Sequence, residues 1–180
     1  MKKLRAVNFL PENATYDEMN SPVGKLMMIA SLKGLHAVLW ENDCQHSTVE
    51  KVMNTLNQSK NERTLVQTKL QLTEYFQGKR KIFDLPLVLD GTHFQLQVWN
   101  QLQKIPYAMT MTYAEQAEKI GDRNKARAVG IANGFNPISI IIPCHRVIGS
   151  NGQLTGFRGG LEKKAFLLQL EKDQGIGSAI

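Results

Sequence analysis

The stretch TYAEQAEKIGDRNKARAVGIANG, residues 112–134, constrains the fold more than any other part of this chain. Thr112 and Glu115 stand at capping-box spacing, so a helix opens at Tyr113. Gly121 closes it, because glycine takes the left-handed closing position most easily. After Asp-Arg-Asn a further helix begins, KARAVGIANG. A helix, a short turn with glycine and a second helix make the helix-turn-helix pattern. The second helix is nearly bare, with Ala126, Ala128, Gly130, Ala132 and Gly134. Glycine inside a helix costs about 1 kcal/mol relative to alanine, so the bareness needs a reason. Two readings stand side by side: tight packing on a neighbouring helix, or close approach to a nucleic-acid backbone with Arg127 as the one long projecting side chain.

The 180 residues fit one domain or two small ones, and the chain divides near Leu85–Gly91. Before that point ATYDEMN, GKLMMIA and LHAVLW read as short strands of an antiparallel meander, with turns at Ser21-Pro22 and Lys33-Gly34. STVEKVMNTLNQ reads as a helix opened by a Ser47/Glu50 capping box, and ERTLVQTKLQLTEYFQG as a second, stopped by Gly78. Pro86 disfavours a central strand in the crossing that follows. Beyond it, Thr92 and Gln95 open HFQLQVWNQLQKI, which ends at Pro106. The expected fold is α/β in two modules: an N-terminal antiparallel sheet with helices over 1–84, and a helical, winged-helix-like module with the helix-turn-helix over 92–172. Residues 173–180 are expected to form a flexible tail.

The charge is +6, and the window 123–164 holds seven basic residues against Glu162 alone. A basic surface steers phosphate toward it, although a solvated basic face would give the same count. No apolar run is long enough to span a membrane, and the N-terminus has no secretory pattern. Cys44 and Cys144 make no disulfide framework, so reduced thiols in a cytoplasm are expected. The cysteines and His36, His46 and His93 show no paired spacing for a metal.

One of the two cysteines stands in PISIIIPCHRVIG, residues 137–149. Ile138, Ile140, Ile141 and Ile142, bounded by Pro137 and Pro143, predict a short buried strand with Cys144 at its exit. A buried cysteine is commonly inert, but a thiolate is a strong nucleophile, and basic neighbours favour it. His145, Arg146 and Arg158 are the candidates. Adjacent strand side chains point to opposite faces, so His145 cannot lie directly on the thiol. That disfavours a cysteine hydrolase.

TYAEQAEKIGDRNKARAVGIANGFNPI, IIPCHRVIG and GQLTGFRGGLEKKAFLLQLE together resemble the O6-alkylguanine-DNA alkyltransferases, the methylated-DNA–protein-cysteine methyltransferases. The likeness is continuous from about Gly91 to Glu171, and looser over SPVGKLMMIASLKGLHAV. It implies DNA repair by a single transfer of an alkyl group from O6 of guanine to the protein itself, with the base flipped out of double-stranded DNA. O4 of thymine stays open as a second target.

In that resemblance Cys144 matches the alkyl acceptor, His145 its activator through a water, and Glu171 the carboxylate that orients the histidine. Asn136 matches the asparagine that braces the site, and Tyr113 the tyrosine that donates to the guanine ring. Arg127 matches the finger that fills the base stack, with Ala126, Ala128 and Gly130 letting the helix approach DNA. Val147, Phe157, Arg158 and Gly159 are expected to border the alkyl pocket. Phe157 and Arg158 replace the Tyr-Ser of some relatives, so alkyl preference stays open. The resemblance implies a monomer without cofactor or metal. The alternatives are a lesion binder of the same fold without transfer chemistry, and a plain helix-turn-helix regulator.

Overall fold

In the computed structural model, residues 10–44 and 47–175 are described. The chain divides into two compact units. The first runs to Asp90 and includes Pro137–Ser139; the second comprises Gly91–Asn136 and the chain from Ile140 onward.

The first unit is built on the expected meander. Strands β1 (Thr15–Ser21), β2 (Gly24–Ser31) and β3 (Gly34–Trp40) pair antiparallel in sequence order. A short helix, α1 (Glu41–Cys44), leads to α2 (Ser47–Met53). The helix expected over 47–58 therefore stops early. Thr55 turns its hydroxyl onto the Val52 carbonyl, offering the backbone a local alternative to the helix. Asn57–Gln58 then form β4, parallel to β1, so the sheet is mixed rather than antiparallel throughout. His46 and the side chain of Ser47 lie outside the described residues.

Helix α3 (Arg63–Phe76) is capped by Glu62, whose carboxylate accepts from Leu65 N at 2.7 Å. It buries Leu65, Thr68, Leu72 and Tyr75. Lys69 Nζ reaches the buried Asp17 carboxylate of β1 at 2.5 Å.

The open side of β3 takes two partners. Leu35 N donates to Pro86 O at 2.8 Å, and Val88 N to Leu35 O at 2.9 Å. Val38 N donates to Pro137 O at 2.9 Å. Pro86 thus sits at a sheet edge, where its missing N–H costs no ladder bond. Gly34, at φ 135°, lies so close to the Pro86 carbonyl that no side chain fits between them. The run Ile138–Ile142 is not one strand, because Ile140 takes a left-handed φ of 74°. Such a backbone is rare for a β-branched residue, and it interrupts the run at Ile140 and Ile141.

The second unit opens with α4 (His93–Leu102), whose Thr92–Gln95 capping box is complete. β5 (Met111–Thr112) leads into α5 (Tyr113–Lys119), opened by the Thr112–Glu115 box, in which both bonds form. Gly121 closes α5 at φ 103°. A single 3-10 turn, Arg123–Lys125, then feeds α6 (Ala126–Asn133). β6 (Val147–Ile148) pairs parallel with β5. The closing helix α7 spans Leu161–Gly175, so residues 173–175 are helical rather than part of a tail. The core of this unit holds Val98, Trp99, Leu102, Ala117, Val129, Ile142 and Leu167. A buried amide pair links α5 to α6, with Asn133 Nδ2 donating to Gln116 Oε1 at 2.8 Å.

Candidate active site

Pro143 precedes a 3-10 turn, Cys144–Arg146, not a strand exit. All three side chains of that turn are buried, and they go separate ways. Cys144 lies beside Asn136, whose amide bonds the thiol and also donates to Ile142 O at 2.7 Å. His145 turns its Nε2 to Glu171 Oε1 at 2.8 Å, deep under α7. Arg146 grips the same carboxylate, with Nε at 2.9 Å from Oε2 and Nη2 at 2.9 Å from Oε1. Its Nη1 donates to Ile105 O at 2.6 Å.

Burial pushes the Glu171 carboxyl up, but the bonds from His145 and Arg146 overcome it and hold the group down at about 2. Glu171 is therefore ionised throughout the physiological range. Burial lowers the His145 pKa, and Arg146 and Lys164 lower it further against the pull of Glu171. Histidine is thus neutral at rest. With Nε2–H given to the carboxylate, Nδ1 carries the lone pair. That Nδ1 is buried and without a hydrogen-bond partner among the described residues.

The thiol itself corrects one expectation. Burial raises the Cys144 pKa, and this outweighs the lowering by Asn136, Lys164 and Arg158. A basic neighbourhood in sequence does not make a resting thiolate here, because Arg146 spends its charge on Glu171 and His145 is uncharged. Cys144 needs a base.

Lys164 is the residue that sequence reasoning missed. It is fully buried, and Nζ donates to Val147 O at 2.6 Å and Thr155 O at 2.8 Å. It also lies 3.5 Å from the Tyr113 hydroxyl. Burial lowers its pKa to about 8, while Cys144 acts in the other direction. Its signal was present in the sequence. Lys164, Leu167 and Glu171 fall at i, i+3 and i+7, so two charges share the buried stripe of α7.

Tyr113 donates to Thr155 O at 3.0 Å, and burial pushes its pKa up, so the phenol stays protonated. Val147 and Gly159 are buried, and Phe157 and Arg158 half-buried. Arg158 is near enough to act electrostatically on the thiol.

Helix α6 has one packed face and one exposed face. Val129, Ala132 and Asn133 face inward, and Trp99 Nε1 donates to Ala132 O at 2.9 Å. Arg127, Ala128 and Ile131 are exposed, and Ala126 is half-buried. Gly130 looks onto the Tyr113 ring, where an added Cβ would make ordinary contact at 3.5 Å. Gly130→Ala is therefore expected to stabilise the protein by about 0.5–1 kcal/mol through helix propensity. A lower urea midpoint for that variant would show the glycine to be needed for packing.

The basic window is not one surface patch. Arg146 and Lys164 are buried, and Arg123 pairs with Glu118 at 2.8 Å.

Residues 14–89 match the ribonuclease-like domain of 6-O-methylguanine DNA methyltransferase, and residues 93–173 match its DNA binding domain. The methylated-DNA–protein-cysteine methyltransferase of Methanosarcina acetivorans is 44% identical over 156 residues, covering 87% of this chain and 97% of that protein. The crystal structure of the Mycobacterium tuberculosis O6-methylguanine methyltransferase superposes with a TM-score of 0.80 at 40% identity, over 89% of this chain and 94% of that one. The same mycobacterial protein in complex with DNA gives a TM-score of 0.78 at 40% identity, with the same coverage. Among the described residues no helix is long and apolar enough to cross a membrane. The chain belongs to the O6-alkylguanine-DNA alkyltransferases, the methylated-DNA–protein-cysteine methyltransferases, whose reaction moves an alkyl group from damaged DNA onto a cysteine of the protein.

Proposed function

We propose that Cys144 is the acceptor cysteine, working once as a monomer in a reducing cytoplasm on O6-alkylguanine in duplex DNA. The observation that carries this is the buried His145–Glu171 pair at 2.8 Å, with Nδ1 of His145 left as an unpartnered base in the residue next to the thiol. The thiol proton passes through a water to Nδ1. Sγ then attacks the alkyl carbon, the carbon–O6 bond breaks, and a thioether forms. Guanine leaves with the bonding electrons and takes a proton from Tyr113, which must first release Thr155 O. Asn136 holds the thiol in place. No residue here can hydrolyse a thioether, so one molecule repairs one base.

Val147, Phe157, Arg158 and Gly159 border the alkyl group in this reading. Intact mass spectrometry after incubation with O6-methylguanine duplex tests it. A single methyl on the peptide carrying Cys144 is the expected result, and an unmodified protein would favour a lesion binder instead. A helix-turn-helix regulator would need polar groups for base contacts. The exposed face of α6 offers Arg127, Ala128 and Ile131.

The damaged base must leave the stack to reach Cys144, and unstacking costs a few kcal/mol. Arg127 stands exposed on α6, where a planar guanidinium can fill the gap. Ala128 beside it keeps the outer face low, and half-buried Ala126 and Gly130 add no bulk. Arg127→Ala is expected to slow repair of duplex DNA by about tenfold or more while sparing free O6-methylguanine, where no base is flipped. Rate constants on duplex, single strand and free base check this. Equal losses on all three would mean that Arg127 supports the fold or the pocket.

A further inference from the structure

Glu171 also receives a main-chain donor beside the histidine and the arginine. The backbone N–H of Ala108 donates to Oε2 at 3.0 Å. Ala108 stands in the turn after Pro106, and its φ is 61°, a left-handed backbone that disfavours a residue with a Cβ. This turn is docked against the last turn of α7. Tyr107 donates its hydroxyl to Gln174 Oε1 at 2.8 Å, and the Arg146 guanidinium lies over the Tyr107 ring at 5.7 Å. Gly175 makes the close approach possible, because a Cβ there would lie 2.7 Å from that of Ala108.

We propose that the Tyr107–Ala108 turn is a positioning element that fixes Glu171 for its contact with His145. Oε1 takes His145 Nε2 and Arg146 Nη2; Oε2 takes Arg146 Nε and the Ala108 N–H. Charge-assisted hydrogen bonds to both oxygens of a carboxylate fix its geometry as well as strengthening its hold. Loss of the Ala108 N–H would remove a main-chain donor from Oε2, the oxygen opposite the His145 contact on Oε1, and loosen the hold on the carboxylate's rotation. The turn acts through Glu171 on His145 and touches no reacting atom. It accounts for three features at once: the left-handed alanine, the bare Gly175, and the extension of α7 past Glu171 to Gln174.

This proposal rests on the reading of Cys144, His145 and Glu171 given above. The groups that face the pair are Arg146 on the 3-10 turn, Lys164 on α7 and the Tyr107 phenol on the turn itself. The test replaces Ala108 by lactate in the full-length chain. This swaps the amide for an ester, removing the N–H while keeping the methyl. Gly175→Val is the second variant, since its side chain pushes Ala108 away.

The readouts are the pH dependence of Cys144 methylation by O6-methylguanine duplex and the proton resonance of His145 Nε2–H. The ester is expected to cut the neutral-pH rate about tenfold, the order of one hydrogen bond to a charged group. It should also move the acid limb to lower pH, because a loosened carboxylate supports the imidazolium less, and shift the Nε2–H resonance upfield. Gly175→Val should do the same. A lower melting temperature with both readouts unmoved would make the turn merely structural and overturn the proposal. His145→Ala in the otherwise native chain tests the parent reading separately. If that variant methylates with the native pH profile, the relay itself is wrong and the proposal falls with it.

Discussion

Cys144→Ala is expected to end methyl transfer altogether while leaving binding to lesion-bearing duplex intact. No second thiol can take over. Cys44 lies in the first unit, where burial and then Asp43, Glu18 and Glu41 push its pKa up to about 11. At pH 7 that leaves about one thiolate in ten thousand, by the ordinary titration relation. The Cys144 thiol is also raised, so thiolate fraction at rest does not distinguish the two. What distinguishes them is assistance. Cys144 has Asn136 on the sulfur, Lys164 and Arg158 within electrostatic reach, and a neutral histidine as the next residue. Cys44 has carboxylates, which oppose ionisation and repel DNA. Cys44→Ala is therefore expected to react at the native rate. Burst stoichiometry and peptide mapping after exposure to methylated duplex decide the matter. More than one methyl per wild-type molecule, or methyl on Cys44, would refute the assignment.

The helices were legible in the sequence because their ends are chemical. Thr92–Gln95, Thr112–Glu115 and Gly121 each mark a terminus by side-chain or backbone geometry that a local pattern carries. The meander was legible for the same reason, since its turns are local. What escaped were long-range pairings. Nothing near Asn57 announces that two exposed polar residues join β1, and nothing near Ile138 announces its pairing with Val38. The site shows the same divide. The resemblance picked out Cys144, His145 and Glu171 by motif, and the structure brings His145 and Glu171 into contact. Arg146 and Lys164 both fell in the basic window, and only Arg146 was also read as a neighbour of the thiol, because a charge count carries no information about burial. Ala108 could not have been found, since its contribution is a backbone N–H and a left-handed turn.

Glu171→Gln is expected to damage both rate and stability, and the pH dependence separates the two losses. General-base assistance is commonly worth ~10²–10⁴ in rate, and the amide can support His145 only as a neutral acceptor. The stability loss comes from Arg146, whose guanidinium would stay buried with its carboxylate partner gone. Breaking one side of a buried pair typically costs about 3–5 kcal/mol. The wild-type carboxyl sits at about 2 when folded, against 4.5 as its ordinary value. Between those values the unfolded chain binds more protons than the folded one, so stability falls as pH falls. The contribution is complete above about pH 4.5 and is lost as pH approaches 2. Glutamine does not titrate. Urea unfolding of the two proteins should therefore differ most at neutral pH, with the gap narrowing steadily below pH 4.5. A gap that stays constant down to acid pH would mean that the ionised carboxylate is not what holds Arg146 and His145 together. The rate loss would then have to be explained by displaced packing around Cys144 rather than by a weakened base.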